Sequence, residues 1–255
     1  MIRIILLLIL LLPNLAFAEN WCENVNIGAC WTVETGSGTA LIDISSNDND
    51  GNFKGAGEPL WSASVPDAGD GFDGTSNWSL DFDGTNDYIT GADTDTQDFT
   101  TSMTVVMWIL VDANATNYGR IVQKNNRMWG VVRASGGLNI YQYNSAQGNG
   151  GLTTLGETGS WEHITAVYDT TTNYTTMWLN GVEDTVNRVS ETTDLSVSDD
   201  PWFWGSENTD GYNAGEFQAD EVATFSDAKD STDINDIMDN GLVQAVTTRR
   251  ISIIN

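Results

Sequence analysis

Short apolar runs of about five to ten residues recur along this chain, each closed by a cluster of Gly, Asn, Asp, Ser and Thr. Apolar residues rarely return at helical spacing. Side chains alternate between the two faces of a strand, so a run apolar on one face is a half-buried strand. A run apolar on both faces is a strand covered on both sides. Residues 102–111 are of the second kind, with Val106, Trp108 and Leu110 opposed to Val105, Met107 and Ile109. Many such strands, separated by turn-forming clusters, bury their apolar faces as a sandwich or barrel.

The further strands expected are 30–33, 41–44, 78–83, 88–90, 120–123, 128–133, 138–143, 162–169, 174–179, 182–189, 202–204 and 217–225. Residues 47–52 and 67–76 are expected as loops. One short helix is expected near the C-terminus. Ser231 can act as its N-cap, Asp233 suits the first turn, Ile234, Ile237 and Met238 recur at helical spacing, and Gly241 can end it. No internal repeat or linker interrupts the chain.

Residues 1–18 have the form of a secretory signal: Arg3, an apolar run over 4–12, then Ala16-Phe17-Ala18. The run is too short for a spanning helix, so no stable membrane insertion is expected after cleavage. Residues 19–255 are expected as one domain, secreted, periplasmic or at the cell surface. The only two cysteines, Cys22 and Cys30, follow the cleavage site and meet an oxidising compartment. A bridge between them would contribute about 2–3 kcal/mol by loop entropy. Two free thiols are the alternative. Zinc is disfavoured by a single histidine, His163, and the lack of a CxxC pair.

Acidic residues outnumber basic ones 36 to 10, for a formal net charge of −26. Such a surface repels nucleic acid phosphates and anionic lipid headgroups, and suits divalent cations or neutral partners.

Several segments resemble one family. Trp31-x-x-Glu34-x-Gly36-Ser37-Gly38-Thr39 and Asp43-x-Ser45-Ser46-Asn47 resemble its opening strand and loop. Leu80-Asp81-Phe82-Asp83-Gly84-Thr85-Asn86-Asp87-Tyr88-Ile89 resembles its LxFDGxxDYV hairpin. Phe99-Thr100-x-Ser102-Met103-Thr104-Val105-x-Met107-Trp108, Trp161-Glu162-His163-Ile164-x-Ala166-Val167-Tyr168-Asp169, Trp178-Leu179-Asn180-Gly181-Val182 and Asp220-Glu221-Val222 follow in the family's order. Over 31–241 the chain is similar to the laminin-G-like jelly roll of the concanavalin A-like lectin/glucanase superfamily, which includes pentraxins. The resemblance implies an all-β, two-sheet antiparallel jelly-roll sandwich with one short C-terminal helix.

Glucanases of this fold carry an E-x-D-x-E or E-x-D-x-x-E strand, whose carboxylates share one face. No such string occurs here. Glu216, Gln218 and Asp220 come nearest, and a glutamine cannot trade protons. His163 belongs to a strand motif and is expected as a packed, hydrogen-bonded residue. No catalytic residue is assigned.

Calcium is the candidate cofactor, because it takes six to eight oxygen ligands from carboxylates, amides and carbonyls, and acidic loops that are merely solvated are the alternative. The pentraxin likeness points to Glu207, Asn208 and Asp210, with Asn125 and Asn126 on a second loop. The glucanase likeness points to Asp43 with Asp220, joining an early loop to the last strand. Among ten tryptophans, Trp202 and Trp204 share one face of their strand. With Tyr212 they form a candidate sugar platform, since indole rings stack on sugar faces, while core packing is the alternative. Sequons stand at Asn77, Asn114 and Asn173. The function expected is a non-catalytic module recognising extracellular glycan or glycoprotein. A divergent glycoside hydrolase or polysaccharide lyase, and a protein-binding adhesion component, are the alternatives.

Overall fold

The computed structural model describes residues 20–55, 58–72, 74–111, 119–124, 129–134, 137–142, 150–152, 159–186, 188–190, 197–211 and 213–243. The signal at 1–18 lies outside them. Seventeen strands and one α-helix are formed among the described residues. The early strands are β1 (Ile27–Trp31), β2 (Ala40–Leu41), β3 (Gly51–Lys54), β4 (Leu60–Ser62), β5 (Ser79–Asp83), β6 (Tyr88–Gly91) and β7 (Met103–Val111). Next come β8 (Arg120–Lys124), β9 (Trp129–Ala134), β10 (Gly137–Gln142), β11 (Gly150–Leu152), β12 (Glu162–Asp169) and β13 (Tyr174–Leu179). The last are β14 (Val182–Glu183), β15 (Val189–Ser190), β16 (Trp202–Trp204), β17 (Glu216–Phe225) and the helix α1 (Ser231–Asn240).

The strands build two antiparallel sheets, as a jelly-roll sandwich requires. The larger runs β14-β13-β12-β7-β17-β5-β4, with β1 also on β17 and β15 on β13. The smaller runs β11-β10-β9-β8-β16-β6-β3-β2. Their facing sides form one continuous core. Its centre is Trp31, whose ring lies 4.9 Å from Trp202 and 5.3 Å from Trp204, while Phe82 and Phe217 stack at 4.6 Å. β7 is buried along almost its whole length, because its second face is covered too.

That cover comes from two sources. Helix α1 turns Ile237 onto a cluster with Val106, Ala223, Phe225, Trp21 and the bridged Cys22–Cys30 pair. The loop between β4 and β5 brings Phe72 onto Trp108 and Trp161. The outer end of β5 and β17 lies beyond both covers. Asp230, rather than Ser231, caps α1: its Oδ1 accepts from the backbone N–H groups of Thr232 and Asp233. Gly241 closes the helix at φ 79°, a conformation suited to glycine. Residues 182–189 form two short strands instead of one, and β3 takes Gly51 and Asn52 out of the expected loop.

Candidate functional site

The strand β17 carries a bulge. Asp220 pairs with Trp108 and Ala223 with Val106, so an extra residue lies between them. Glu221 takes it up at φ +48°, a left-handed conformation that costs a non-glycine residue about 1–3 kcal/mol. Without the bulge, neighbouring residues would face opposite sides. With it, Ala219 and Val222 both enter the core while Asp220 and Glu221 stay together outside it. Glu34, from the turn after β1, completes a cluster in which three carboxylate oxygens lie within 4.8 Å of one another.

Asp220 and Glu221 are 0% and 4% exposed. Asp220 Oδ2 accepts from Ser76 Oγ and Oδ1 from the N–H of Glu221. Glu221 Oε2 accepts from the N–H of Leu242 at 2.7 Å. Glu34 accepts from the backbone and side-chain N–H groups of Asn77, which ties up that sequon's amide. No Lys or Arg pairs with the three among the described residues. Burial pushes Asp220 well above the usual carboxylate range, with Glu221 adding to it. Burial likewise lifts Glu221 to about 8, opposed by the Leu242 N–H and reinforced by Glu34. Such a cluster holds protons or a cation. Three hard oxygen donors without a base fit a divalent ion such as calcium.

The expected ligands are distributed otherwise. Asp43 is remote from Asp220 in role: it accepts the N–H groups of Cys30, Ser45 and Asn49 at 2.8–2.9 Å, fixing its own loop. Glu207 is neutralised by buried Arg120 at 2.8 Å and also accepts from Asn213. Asn208 turns its Oδ1 onto the N–H of Asp210. Asn125, Asn126 and Tyr212 lie outside the described residues. Trp202 and Trp204 are each 1% exposed and pack on Trp31, so neither ring offers a face to a sugar. Glu34 and Glu221 were not among the ligands expected from the sequence. Both stand in the family motifs quoted above, and only the bulge brings them together.

His163 is packed against Trp108 at 5.3 Å and burial drops it to about 3. Neither ring nitrogen has a hydrogen-bond partner among the described residues, unlike the expected bonded histidine. Glu216 and Gln218 part company with Asp220. They line a cavity of about 310 Å³ with Asp81, Asp83 and Leu110, on the open end of the larger sheet.

The Cys22–Cys30 bridge is formed, and no helix among the described residues is long and apolar enough to cross a membrane. The family described as the concanavalin A-like lectin/glucanases superfamily matches residues 83–235, more than half of the chain. No curated protein matches it. Among solved structures, it is similar to the binding domain of Paraclostridial Mosquitocidal Protein 1, with 16% identity, TM-score 0.60, and 84% of this chain and 52% of that one covered. It is also similar to botulinum neurotoxin type C, in a structure titled for cell entry dependent on two ganglioside molecules: 13% identity, TM-score 0.61, 85% and 51% covered. A third is the binding domain of botulinum neurotoxin DC in complex with rat synaptotagmin II: 14% identity, TM-score 0.61, 85% and 52% covered. The chain spans about half the length of each of these.

Proposed function

This chain belongs to the concanavalin A-like lectin/glucanases superfamily, and from that premise we propose that it is a secreted, non-catalytic module binding extracellular glycans or glycosylated surfaces. The observation that carries the reading is the shared sandwich: two of the similar solved structures are binding domains, one of them in complex with rat synaptotagmin II, and a third concerns cell entry through two ganglioside molecules. The bridged cysteines suit an oxidising destination. The strongly negative chain suits neutral or cation-bridged partners rather than nucleic acid.

Calcium belongs to this reading as a structural ion. Glu34, Asp220 and Glu221 would hold it, and its charge would replace the protons that burial now favours on the cluster. It would bind the turn after β1 to the bulge of β17, firming the loops beside them. A glycan array with and without chelator, with metal analysis of the purified protein, tests both parts. Binding to a defined glycan class supports the module. Silence across a broad panel, glycolipids included, removes it, and a metal-free protein after calcium dialysis removes the ion.

A second reading, hydrolysis or lysis of a polysaccharide, draws on one observation. Asp83 and Glu216 are direct partners across β5 and β17, on the cavity side. Release of reducing or unsaturated sugar ends from β-glucans and uronic-acid polymers, abolished by Glu216→Gln, would establish it in place of the first.

A further inference from the structure

Lys124, the last residue of β8, pairs with Trp202 of β16 on one side and with Trp129 of β9 on the other. Residues directly opposite one another share a face, and both indoles belong to the core. Lys124 therefore enters the sandwich with them, and its side chain is 1% exposed. Two carboxylates from the connection between β6 and β7 meet its end. Nζ contacts Asp98 Oδ1, and Asp93 Oδ1 lies 2.7 Å from the same nitrogen. Both neighbours of Asp98 are anchored. The Trp129 indole N–H donates to the carbonyl of Gln97, and Phe99 packs on the Trp129 ring at 5.6 Å.

The two carboxylates are not equivalent. Asp98 is 16% exposed and accepts the hydrogen bond from Nζ. Asp93 is 28% exposed. Its Oδ1 is buried and close to Nζ, yet out of line for any hydrogen bond among the described residues. Taking an ammonium out of water is costly, and an apolar side chain of similar volume would fill the space between two indoles without that penalty. One cation facing two carboxylates also leaves one negative charge over. An amine, a carboxyl group held against it and a spare carboxylate are the three parts that condensation to an amide requires.

We propose that Lys124 Nζ and Asp98 Cγ join in an isopeptide bond, formed by the folded chain itself with Asp93 as proton relay. The ammonium passes one proton to Asp98, which leaves a neutral amine facing a carboxylic acid. Nζ attacks Cγ with its lone pair, and the carbonyl π pair moves onto oxygen. Asp93 accepts a proton from the nitrogen and returns it to a hydroxyl of the tetrahedral centre. That hydroxyl leaves as water with the C–O bonding pair, and the carbonyl re-forms. One ammonium and one carboxylate become one amide and one water. Asp93 ends as it began, and no oxidant or other reactant takes part. Amide condensation is unfavourable between separate molecules in water, but well-oriented groups reach effective molarities of about 10⁵–10⁸ M, which offsets this. The bond ties β8 of the smaller sheet to the segment that leads into β7 of the larger one.

The bond depends neither on glycan binding nor on the calcium cluster, so each can fail alone. The purified parent chain is reduced, denatured and digested with trypsin, and its peptides are sequenced by mass spectrometry. Trypsin cuts after free Lys and Arg, so an unjoined chain yields 55–120 and 121–124 as separate peptides. The isopeptide bond blocks the cut after Lys124 and gives 55–120 joined to 121–127, lighter by one water than their sum. The joined species is expected in most molecules of the parent and in none of Lys124→Arg or Asp98→Ala. A proton relay is worth about a hundredfold in rate, so Asp93→Asn should leave the purified chain mostly unjoined. Free 121–124 from most molecules of the folded parent overturns the proposal and leaves an ordinary buried ion pair. A missing water without a joined peptide, as ring closure at Asp83-Gly84 would produce, overturns it too. So does an Asp93→Asn chain joined as completely as the parent. The deciding measurement is made on the parent, so a variant that fails to fold does not weaken it.

Discussion

The indole of Trp202 lies across Gly91, its partner on the neighbouring strand, with no room left for a β-carbon on that glycine. The same ring also covers Gly51, the partner of Gly91 on the next strand. Two consecutive strands therefore thin to backbone where the largest side chain of the core must fit. Gly91→Ala is expected to destabilise the fold by about 1–3 kcal/mol through overpacking, read as a lower urea midpoint at unchanged slope. Trp202→Phe, which shortens the ring above it, should recover part of that loss in the double variant. A neutral Gly91→Ala would mean that Trp202 is not locked in this position.

Glu207 and Arg120 supply a contrasting test. Arg120 is buried, and Glu207 is its partner at 2.8 Å. Removing one member of such a pair takes the close counter-charge from a guanidinium held in poor solvent. Glu207→Gln should cost about 3–5 kcal/mol of stability in denaturant titration. Calcium uptake per chain should stay unchanged. A Glu207→Gln protein that keeps its stability and loses calcium would return this loop to the role first expected of it.

Where the chain is long, alternating and bounded by turns, its structure could be read directly: β12 and β13 begin and end where the periodicity does. Strands of three residues such as β4 and β11 carry no period to detect. The site was harder. Period-two reasoning sends Asp220 and Glu221 to opposite faces, and only the positive φ of Glu221 reverses that. The pairing of Glu207 joins residues 87 positions apart through neighbouring strands, and nothing local announces it. Trp202 and Trp204 were correctly placed on one face, but strand alternation does not say whether that face is core or solvent.

His163 is expected to contribute to the loss of stability in acid. Its ordinary value of 6.5 falls to about 3 in the fold, because burial against Trp108 disfavours the charged ring. A depressed base contributes stability that is complete above its unfolded value and is lost as pH falls toward its folded one. Between about pH 6.5 and 3 the unfolded chain binds the extra proton, and the slope approaches about 1.4 kcal/mol per pH unit. His163→Phe keeps an aromatic ring beside Trp108 and removes the proton. Its stability, measured by urea titration from pH 7 to pH 4, should decline less steeply than that of the parent chain. Parallel declines would assign the acid sensitivity to other groups.

The carboxylate cluster makes an independent thermal prediction. A ligand that binds only the folded chain stabilises it by about 2.7 kcal/mol at a hundred times its Kd. Calcium should therefore raise the melting temperature, and a chelator should reverse the rise. Glu34 sits on the turn after β1, and its contacts to Asn77 are exposed, so Glu34→Gln should fold normally and lose most of the calcium increment. Asp220→Asn should also lose it. That variant should melt near the metal-free parent, since an amide keeps a hydrogen bond to Ser76 and relieves the repulsion from Glu221. Magnesium, which demands a tighter octahedral shell, should give a smaller shift than calcium. Equal calcium shifts in the parent, Glu34→Gln and Asp220→Asn would place the ion elsewhere and leave the three carboxylates sharing protons alone.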